Sequence, residues 1–435
     1  MNIKELESTI KMLMRLWAEE KSSQEKSLGK IRYSGPVLGA NEYEALLTAV
    51  FDNWWSGGRH TIEAEKKLAQ MSNRNHALLV NSGSSANMIL MEAMKELYFK
   101  KNEKILTLAC GFPATINAIV QCGLTPVLAD IDLETLNLNP QILIDAIQKL
   151  DVKGVFLPHT LGFKNDINTL LDIARQKNIM VLFDACDAYG TTYEGNPIQH
   201  YGRAATLSFY VAHHLTMGEG GAIVTNDDDL IRVMRGLRNW GKYCSSDSCC
   251  VRSVDPTAFC SNQRLTLDSP IPNDYPVSYI YEWIGYNLKP LELQSAILCQ
   301  QIDRLPEFND ARRRNYKLLY DYFFKSKINF KIWPLDRDVS PFVFPLLIPS
   351  DAPFLRKHMI DFLKRNKVET RVVFAGNILK HPAYYKKEGC YIQHGTLENS
   401  DAILNRGLML GVSQINSEEI TLKMLDIIND FLKKF

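Results

Sequence analysis

Residues Ala205 to Val224 read ATLSFYVAHHLTMGEGGAIV. A short apolar run, Thr206 to Val211, leads into two adjacent histidines, His213 and His214. A turn follows that contains Gly218, Gly220 and Gly221, and then a second apolar run begins. The reading is a strand, a histidine-bearing turn and a second strand. Imidazole titrates near neutral pH, so a histidine in such a turn can carry protons.

Outward from this stretch, residues 75 to 225 alternate between two kinds of segment. HALLVN, KILTLA, TPVLAD, GVFLPH, NIMVLFD, TLSFYV and GAIVT are apolar and rich in Val, Ile and Leu, as strands covered on both faces should be. SSANMILMEAMKELYFK, ATINAIVQCG, PQILIDAIQKL and INTLLDIARQKN have helical character. The alternation predicts an α/β domain with a mostly parallel, seven-stranded sheet. Residues 1–32 predict an amphipathic helical extension, with Ile3, Leu6, Ile10, Leu13 and Trp17 at helical spacing. Residues 33–290 form the large domain, interrupted by an irregular cysteine-bearing loop at 243–275. Residues 291–435 predict one long linker helix, PLELQSAILCQQIDRLPEFNDARRRNYKLLYDYFFKS, and a smaller C-terminal α/β domain.

The 435 residues have 46% hydrophobic and 23% charged composition and a formal net charge of +1. The near-zero charge gives no sign of a nucleic-acid or anionic-membrane partner. No stretch approaches the ~18 apolar residues that span a bilayer. The N-terminus lacks the apolar core of a signal peptide, so the expected address is cytoplasmic.

Three further segments carry chemistry. NSGSSANMI places Gly83, Ser84 and Ser85 between a strand and a helix start, where backbone N–H groups and hydroxyls bind phosphate. The same residues also read as an ordinary helix cap. FDACDAYG places Asp184 at the C-terminal end of a strand, where α/β folds make ligand contacts. Its alternative role is a helix cap. Phe112 lies just past the strand KILTLA, as a stacking surface or a core residue.

The order SGSSAN, FPATINAI, FDACDA, SFYVAHH, GEGG, GYN and TRVVFAGN resembles the DegT/DnrJ/EryC1/StrS family of nucleotide-sugar enzymes along nearly the whole chain. Those are fold-type I enzymes that use pyridoxal phosphate (PLP). The likeness is stronger to the family's iron–sulfur 3-dehydrase branch, which has AHHxTMGEGG, a Cys-Asp after the cofactor aspartate and a cysteine loop. AHHLTMGEGG, ACDA and RNWGKYC match it here. In most of the family a lysine stands where this chain has His213. Imidazole cannot form an imine with the cofactor aldehyde, so the resemblance implies pyridoxamine phosphate (PMP) as the working form and His213 as a catalytic base.

The resemblance implies further roles. Asp184 holds the pyridine nitrogen, Gly83, Ser84, Ser85 and Ser208 hold the phosphate, Phe112 stacks on the ring and Asp187 lies near the ring hydroxyl. Asn287 reaches the phosphate of a second subunit, which makes the active unit a homodimer. His159, His214, Arg371 and Asn377 face the nucleotide sugar. The expected reaction removes the 3-hydroxyl of a nucleotide-linked 4-keto-6-deoxyhexose, on the route to a 3,6-dideoxyhexose.

Four of the nine cysteines, Cys244, Cys249, Cys250 and Cys260, crowd into the irregular loop. The separation of Cys186 from Cys244 matches the branch's 2Fe-2S motif, yet Ser246 stands where the next cysteine is expected. The expected ligands are Cys186, Cys244, Cys260 and either Cys249 or Cys250, since 2Fe-2S iron usually takes four thiolates. Zinc, or no metal, stays open on these residues. A cluster would receive electrons from an NAD(P)H-dependent iron–sulfur flavoprotein reductase. Without one, the chain would resemble the family's cluster-free dehydratases, or a protein that binds the sugar without catalysis.

Overall fold

The computed structural model describes residues 2–25, 29–243, 269–272, 275–387 and 389–435. Three helices come first: α1 (Ile3–Glu25), α2 (Ala40–Phe51) and α3 (Arg59–Met71). The seven expected strands follow as β1 (His76–Val80), β2 (Lys104–Leu108), β3 (Thr125–Ala129), β4 (Gly154–Pro158), β5 (Met180–Asp184), β8 (Ala204–Ser208) and β9 (Gly221–Thr225), with a small hairpin, β6 (Thr192–Tyr193) and β7 (Asn196–Pro197), before β8. Helices α4 (Gly83–Leu97), α5 (Pro113–Gln121), α6 (Pro140–Leu150), α7 (Ile167–Lys177) and α8 (Asp228–Arg238) lie between or after them.

The sheet order is β1-β9-β8-β5-β4-β2-β3, and the five strands from β8 to β3 are parallel. Strand β9 runs antiparallel to both of its neighbours. The strands are apolar throughout because helices cover both faces: Leu78, Leu79, Phe156, Leu182 and Phe183 are all fully buried. Each such side chain contributes about 1.5–3 kcal/mol.

The sheet has eight strands and not seven. Ile392–Gln393, labelled β12, pairs in parallel with β3 and extends the edge. The C-terminal residues also form a three-stranded sheet in the order β10 (Phe344–Leu347), β13 (Gly407–Leu410), β11 (Thr370–Arg371). Helices α11 (Arg356–Arg365), α12 (Pro382–Tyr385), α13 (Glu398–Arg406) and α14 (Glu418–Leu432) complete that part. The single linker helix expected from sequence is two helices, α9 (Glu292–Asp303) and α10 (Leu305–Phe324). They part at Arg304, because Pro306 has no N–H to give the preceding turn and fits the first turn of a new helix.

Helix α1 forms as expected, but its apolar stripe is not covered by the rest of the described chain. Ile3, Leu6, Leu13 and Trp17 are exposed, and contact with α2 includes the edge of Trp17 on Tyr43 and Arg15 with Asn41 and Glu44. Among the contacts between the expected domains, Ile31 bridges Val368, and β12 joins the large sheet. Among the described residues no helix is long and apolar enough to cross a membrane.

Candidate active site

The C-terminal ends of β1, β2, β5 and β8 converge, and each delivers one expected residue: the Gly83 turn, Phe112, Asp184 and Ser208. Parallel α/β sheets place ligands at this edge.

Asp184 is buried, and three neutral donors hold its carboxylate. Asn87 Nδ2 and Thr115 Oγ1 donate to Oδ2 at 2.8 and 2.7 Å, and the Cys186 N–H donates to Oδ1 at 3.1 Å. Oδ1 keeps lone-pair room for one more donor. A protonated ring nitrogen fits that vacancy in charge and in hydrogen bonding.

At the start of α4, Ser82 is the cap. Its Oγ accepts the Ser85 N–H at 3.1 Å, and the Ser85 hydroxyl donates to Asn81 at 2.6 Å. The Ser85 side chain is therefore engaged within the turn, whereas Ser84 is exposed beside the helix N-terminus. Two glycines let the segments close up. A Cβ on Gly83 would lie 2.7 Å from Ser208 Cβ, and one on Gly221 would lie 2.4 Å from the Ser82 carbonyl oxygen. This close approach brings Ser208 to the α4 N-terminus, and Gly218, at φ +86°, makes the turn that returns the chain into β9. The N–H groups of the helix start and the two serines suit a phosphate. Phe112 leaves 57% of its surface bare at the head of α5 and meets Phe374 edge-on. Donors for phosphate, a carboxylate for a ring nitrogen and a bare aromatic face thus fit PLP or PMP.

His213 lies in the turn after β8. Its Nδ1 is 3.5 Å from Asp187 Oδ1, and its ring stacks on Phe342 at 5.1 Å between centroids and 26° between planes. Burial, then the positive charge of Arg312, push its pKa down to about 3, so at neutral pH it is the free base. Burial and the Asp184 charge raise Asp187 to about 8.

The remaining expected residues are dispersed. His159 is completely buried, stacks on Phe183 at 4.5 Å and is within hydrogen-bond reach of Asn165 through Nδ1. His214 is also buried, with Nε2 3.2 Å from the Ser340 carbonyl. Asn377 caps a short turn: it accepts the Leu379 N–H and donates to Asp401. Arg371 is exposed, with its guanidinium 5.2 Å from the Tyr33 ring. Asn287 is exposed and accepts from Lys289, which lies over Trp240.

Cys186 is adjacent to the site, 3.3 Å from where a Cβ on Gly83 would stand, and burial with the nearby Asp184 charge keeps its thiol protonated. Cys244, Cys249, Cys250 and Cys260 lie outside the described residues. Among the described residues no group of three or more His, Cys, Asp or Glu is placed to hold a metal ion.

The buried histidines give the fold an acid-sensitive term. His159, His213 and His214 are all held below their ordinary value of 6.5, the first two at about 3. Their contribution is complete above that ordinary value and is lost as pH falls towards the folded values. Each gives up about 1.4 kcal/mol per pH unit in that window. Asp187 works the other way, because its raised value favours the folded state at low pH. Three groups against one leave a net loss, so the urea midpoint is expected to be lower at about pH 5 than at about pH 7.

Sequence reasoning missed Arg312, Ser34 and Gln414, which brace the His213 turn. Arg312 Nη2 donates to the His213 carbonyl at 3.1 Å, Ser34 Oγ to the Ala212 carbonyl at 2.7 Å and Gln414 Nε2 to the His214 carbonyl at 3.3 Å. No local pattern signals contacts this distant in sequence.

Residues 36–423 match the family model described as the DegT/DnrJ/EryC1/StrS aminotransferase family. The chain is 34% identical over 387 residues to lipopolysaccharide biosynthesis protein RfbH of Salmonella typhimurium, covering 87% of this chain and 86% of that protein. It is 33% identical over 413 residues to dTDP-4-dehydro-2,6-dideoxy-D-glucose 3-dehydratase of Saccharopolyspora spinosa, covering 93% and 86%. Its fold superposes with a TM-score of 0.81 on E. coli GDP-4-keto-6-deoxy-D-mannose-3-dehydratase with bound hydrated PLP, at 24% identity over 92% of this chain and 100% of that one. The fold and these matches converge: the chain belongs to the DegT/DnrJ/EryC1/StrS family of PLP-dependent, nucleotide-sugar-modifying enzymes.

Proposed function

We propose that the protein removes the 3-hydroxyl of a nucleotide-linked 4-keto-6-deoxyhexose with PMP as cofactor. The observation that carries this reading is a neutral imidazole, His213, beside Asp187 in a site whose Asp184 suits a pyridinium. The names of the dTDP- and GDP-sugar 3-dehydratases among its relatives support the same reaction class.

Bound PMP would supply an amine for the 4-keto group and a ring that withdraws electrons. Asp184 keeps the ring nitrogen protonated. The α4 N-terminus, Ser84 and Ser208 hold the phosphate, and Phe112 covers one face of the ring. His213, neutral and fixed against Phe342, takes a proton from the carbon that bears the amine. General-base catalysis of this kind contributes about 10²–10⁴-fold in rate. His159 and His214 stabilise the walls of the site, and the exposed Arg371 would meet the nucleotide sugar.

The reductive form of the reaction would use a 2Fe-2S cluster on Cys186, Cys244, Cys260 and either Cys249 or Cys250. Such a cluster delivers single electrons, which a separate NAD(P)H-dependent flavoprotein would provide. Ser246 at a ligand position favours a second reading, in which the chain is a cluster-free dehydratase that releases its product by hydrolysis. Anaerobic purification with iron and sulfide counted separates the two. About two irons and two sulfides per chain, with turnover that requires a reductase, are expected for the cluster form. No iron, with turnover that requires no reductase but an amino donor such as glutamate to restore PMP after its amine leaves as ammonia, overturns it and leaves the dehydration reading in place. No conversion of any 4-keto-6-deoxy nucleotide sugar by the PMP-loaded protein overturns dehydration itself.

The working unit in this proposal is a homodimer. The exposed Trp54, Trp55, Leu291 and Ile284 support it as apolar surface for a partner copy, with Asn287 close to Leu291 in sequence to reach across. A monomer by light scattering at micromolar concentration would overturn it.

A further inference from the structure

Three consecutive carbonyls, those of Ala212, His213 and His214, each accept a hydrogen bond from a side chain of a different remote segment. Ser34 comes from the stretch before α2, Arg312 from α10 and Gln414 from the loop before α14. Arg312 is the central one. It is fully buried, and a buried guanidinium is costly unless its donors are used. Nη1 donates to the Phe342 carbonyl at 2.9 Å and approaches that of Pro341 at 3.4 Å, while Nη2 donates to the His213 carbonyl. The Phe342 ring is the one stacked on the His213 imidazole. One planar fork therefore ties down the backbone that carries the histidine and the backbone that carries the ring against it.

We propose that Arg312 is a positioning residue for His213, fixing its imidazole between Phe342 and the Asp187 side of the site. The inference rests on the reading of His213 as the proton-transferring group. The groups that face His213 are Asp187 and the Cys186 backbone from the loop after β5, Arg312 from α10, its neighbour His214 and the edge of Tyr210; Tyr33, from the segment before α2, lies near Asp187 and Arg312. Arg312 is the fixed positive charge among them.

The test compares Arg312→Lys with Arg312→Met in the full-length, PMP-loaded protein. Lysine keeps the charge but not the fork, and methionine keeps neither. For Arg312→Lys, kcat on the nucleotide 4-keto-6-deoxyhexose is expected to fall about 10–100-fold, as for a misplaced catalytic group. KM and PMP affinity should stay within about twofold, because neither ligand touches Arg312. For Arg312→Met, the His213 ring signal in protein labelled with ¹⁵N-histidine, read at one fixed neutral pH, is expected to broaden and shift from its wild-type position, since the fork no longer pins the turn and the Phe342 backbone. That readout does not depend on activity. Wild-type kcat in a folded Arg312→Lys protein, or an unchanged His213 ring signal in Arg312→Met, overturns the proposal.

If neither variant folds, Ser34→Ala combined with Gln414→Ala removes the two flanking donors, and unchanged kcat in that protein overturns the bracing. A His213→Asn protein assayed alongside separates the two levels. If it retains turnover, the reading of His213 fails; if it is inactive while the Arg312 variants turn over normally, the positioning role alone fails.

Discussion

His213→Asn is expected to bind PMP as tightly as the wild type and to lose turnover by about 10²–10⁴-fold. Asparagine keeps a polar side chain of similar reach, so the packing against Phe342 changes little. The groups proposed to hold the phosphate and the ring nitrogen lie on other elements, at the start of α4 and at the end of β5. What disappears is the ring nitrogen proposed to take up the proton during the reaction. Burial and Arg312 depress the wild-type imidazole to about 3, which keeps it in the base form across the working range. The assay is single-turnover formation of dehydrated sugar, with cofactor affinity measured separately by absorbance titration. Retained dehydration with normal PMP binding would remove His213 from the chemistry and shift the search to Asp187, which stands 3.5 Å away.

Asp184→Asn should damage binding first. In the wild type two donors meet Oδ2 and one meets Oδ1. An asparagine can keep its carbonyl oxygen towards Thr115 and Asn87, but its NH₂ then faces the Cys186 N–H and the incoming ring nitrogen, which are both donors. The flipped amide instead sets its NH₂ against Asn87. Either orientation leaves a buried donor opposed, and the negative charge is lost. A charge-assisted hydrogen bond contributes about 1.5–3 kcal/mol, so PMP affinity is expected to fall about 10–100-fold. A fluorescence titration measures this. Wild-type affinity would show that the ring nitrogen finds its partner elsewhere.

The large sheet was legible because strands buried on both faces must be apolar along their length. The runs from HALLVN to GAIVT therefore stand out from the helices around them. The eighth strand was not. Ile392–Gln393 is two residues long and has no period to read, and its pairing with β3 depends on where the C-terminal segment docks. The break between α9 and α10 was visible in principle at Pro306, but the apolar spacing continues across it and suggests one helix.

The site divides in the same way. Asp184, Ser208, Phe112 and the Gly83 turn follow strand ends, so a strand reading brings them together. Arg312 sits in ARRRNYKLL, where three arginines in a row read as a solvated face. The structure buries Arg312 completely and leaves Arg314 at the surface in an ion pair with Glu418. His159, His214 and Asn377 show a different limit. Their types and motif positions suggest contact with a sugar, and within the protein His159 Nδ1, His214 Nε2 and Asn377 Nδ2 lie against Asn165, the Ser340 carbonyl and Asp401. The polarity of a side chain does not reveal whether its partner is a ligand or the protein.

The three side chains that brace the His213 turn come from near position 34, from the middle of α10 and from position 414. On a ribosome His214 emerges 200 residues before Gln414, the most distant of its supports along the chain. The strands and the turn at Gly83 are all made before that residue, so the histidine turn is braced on all three carbonyls only after the C-terminal part has docked back onto it.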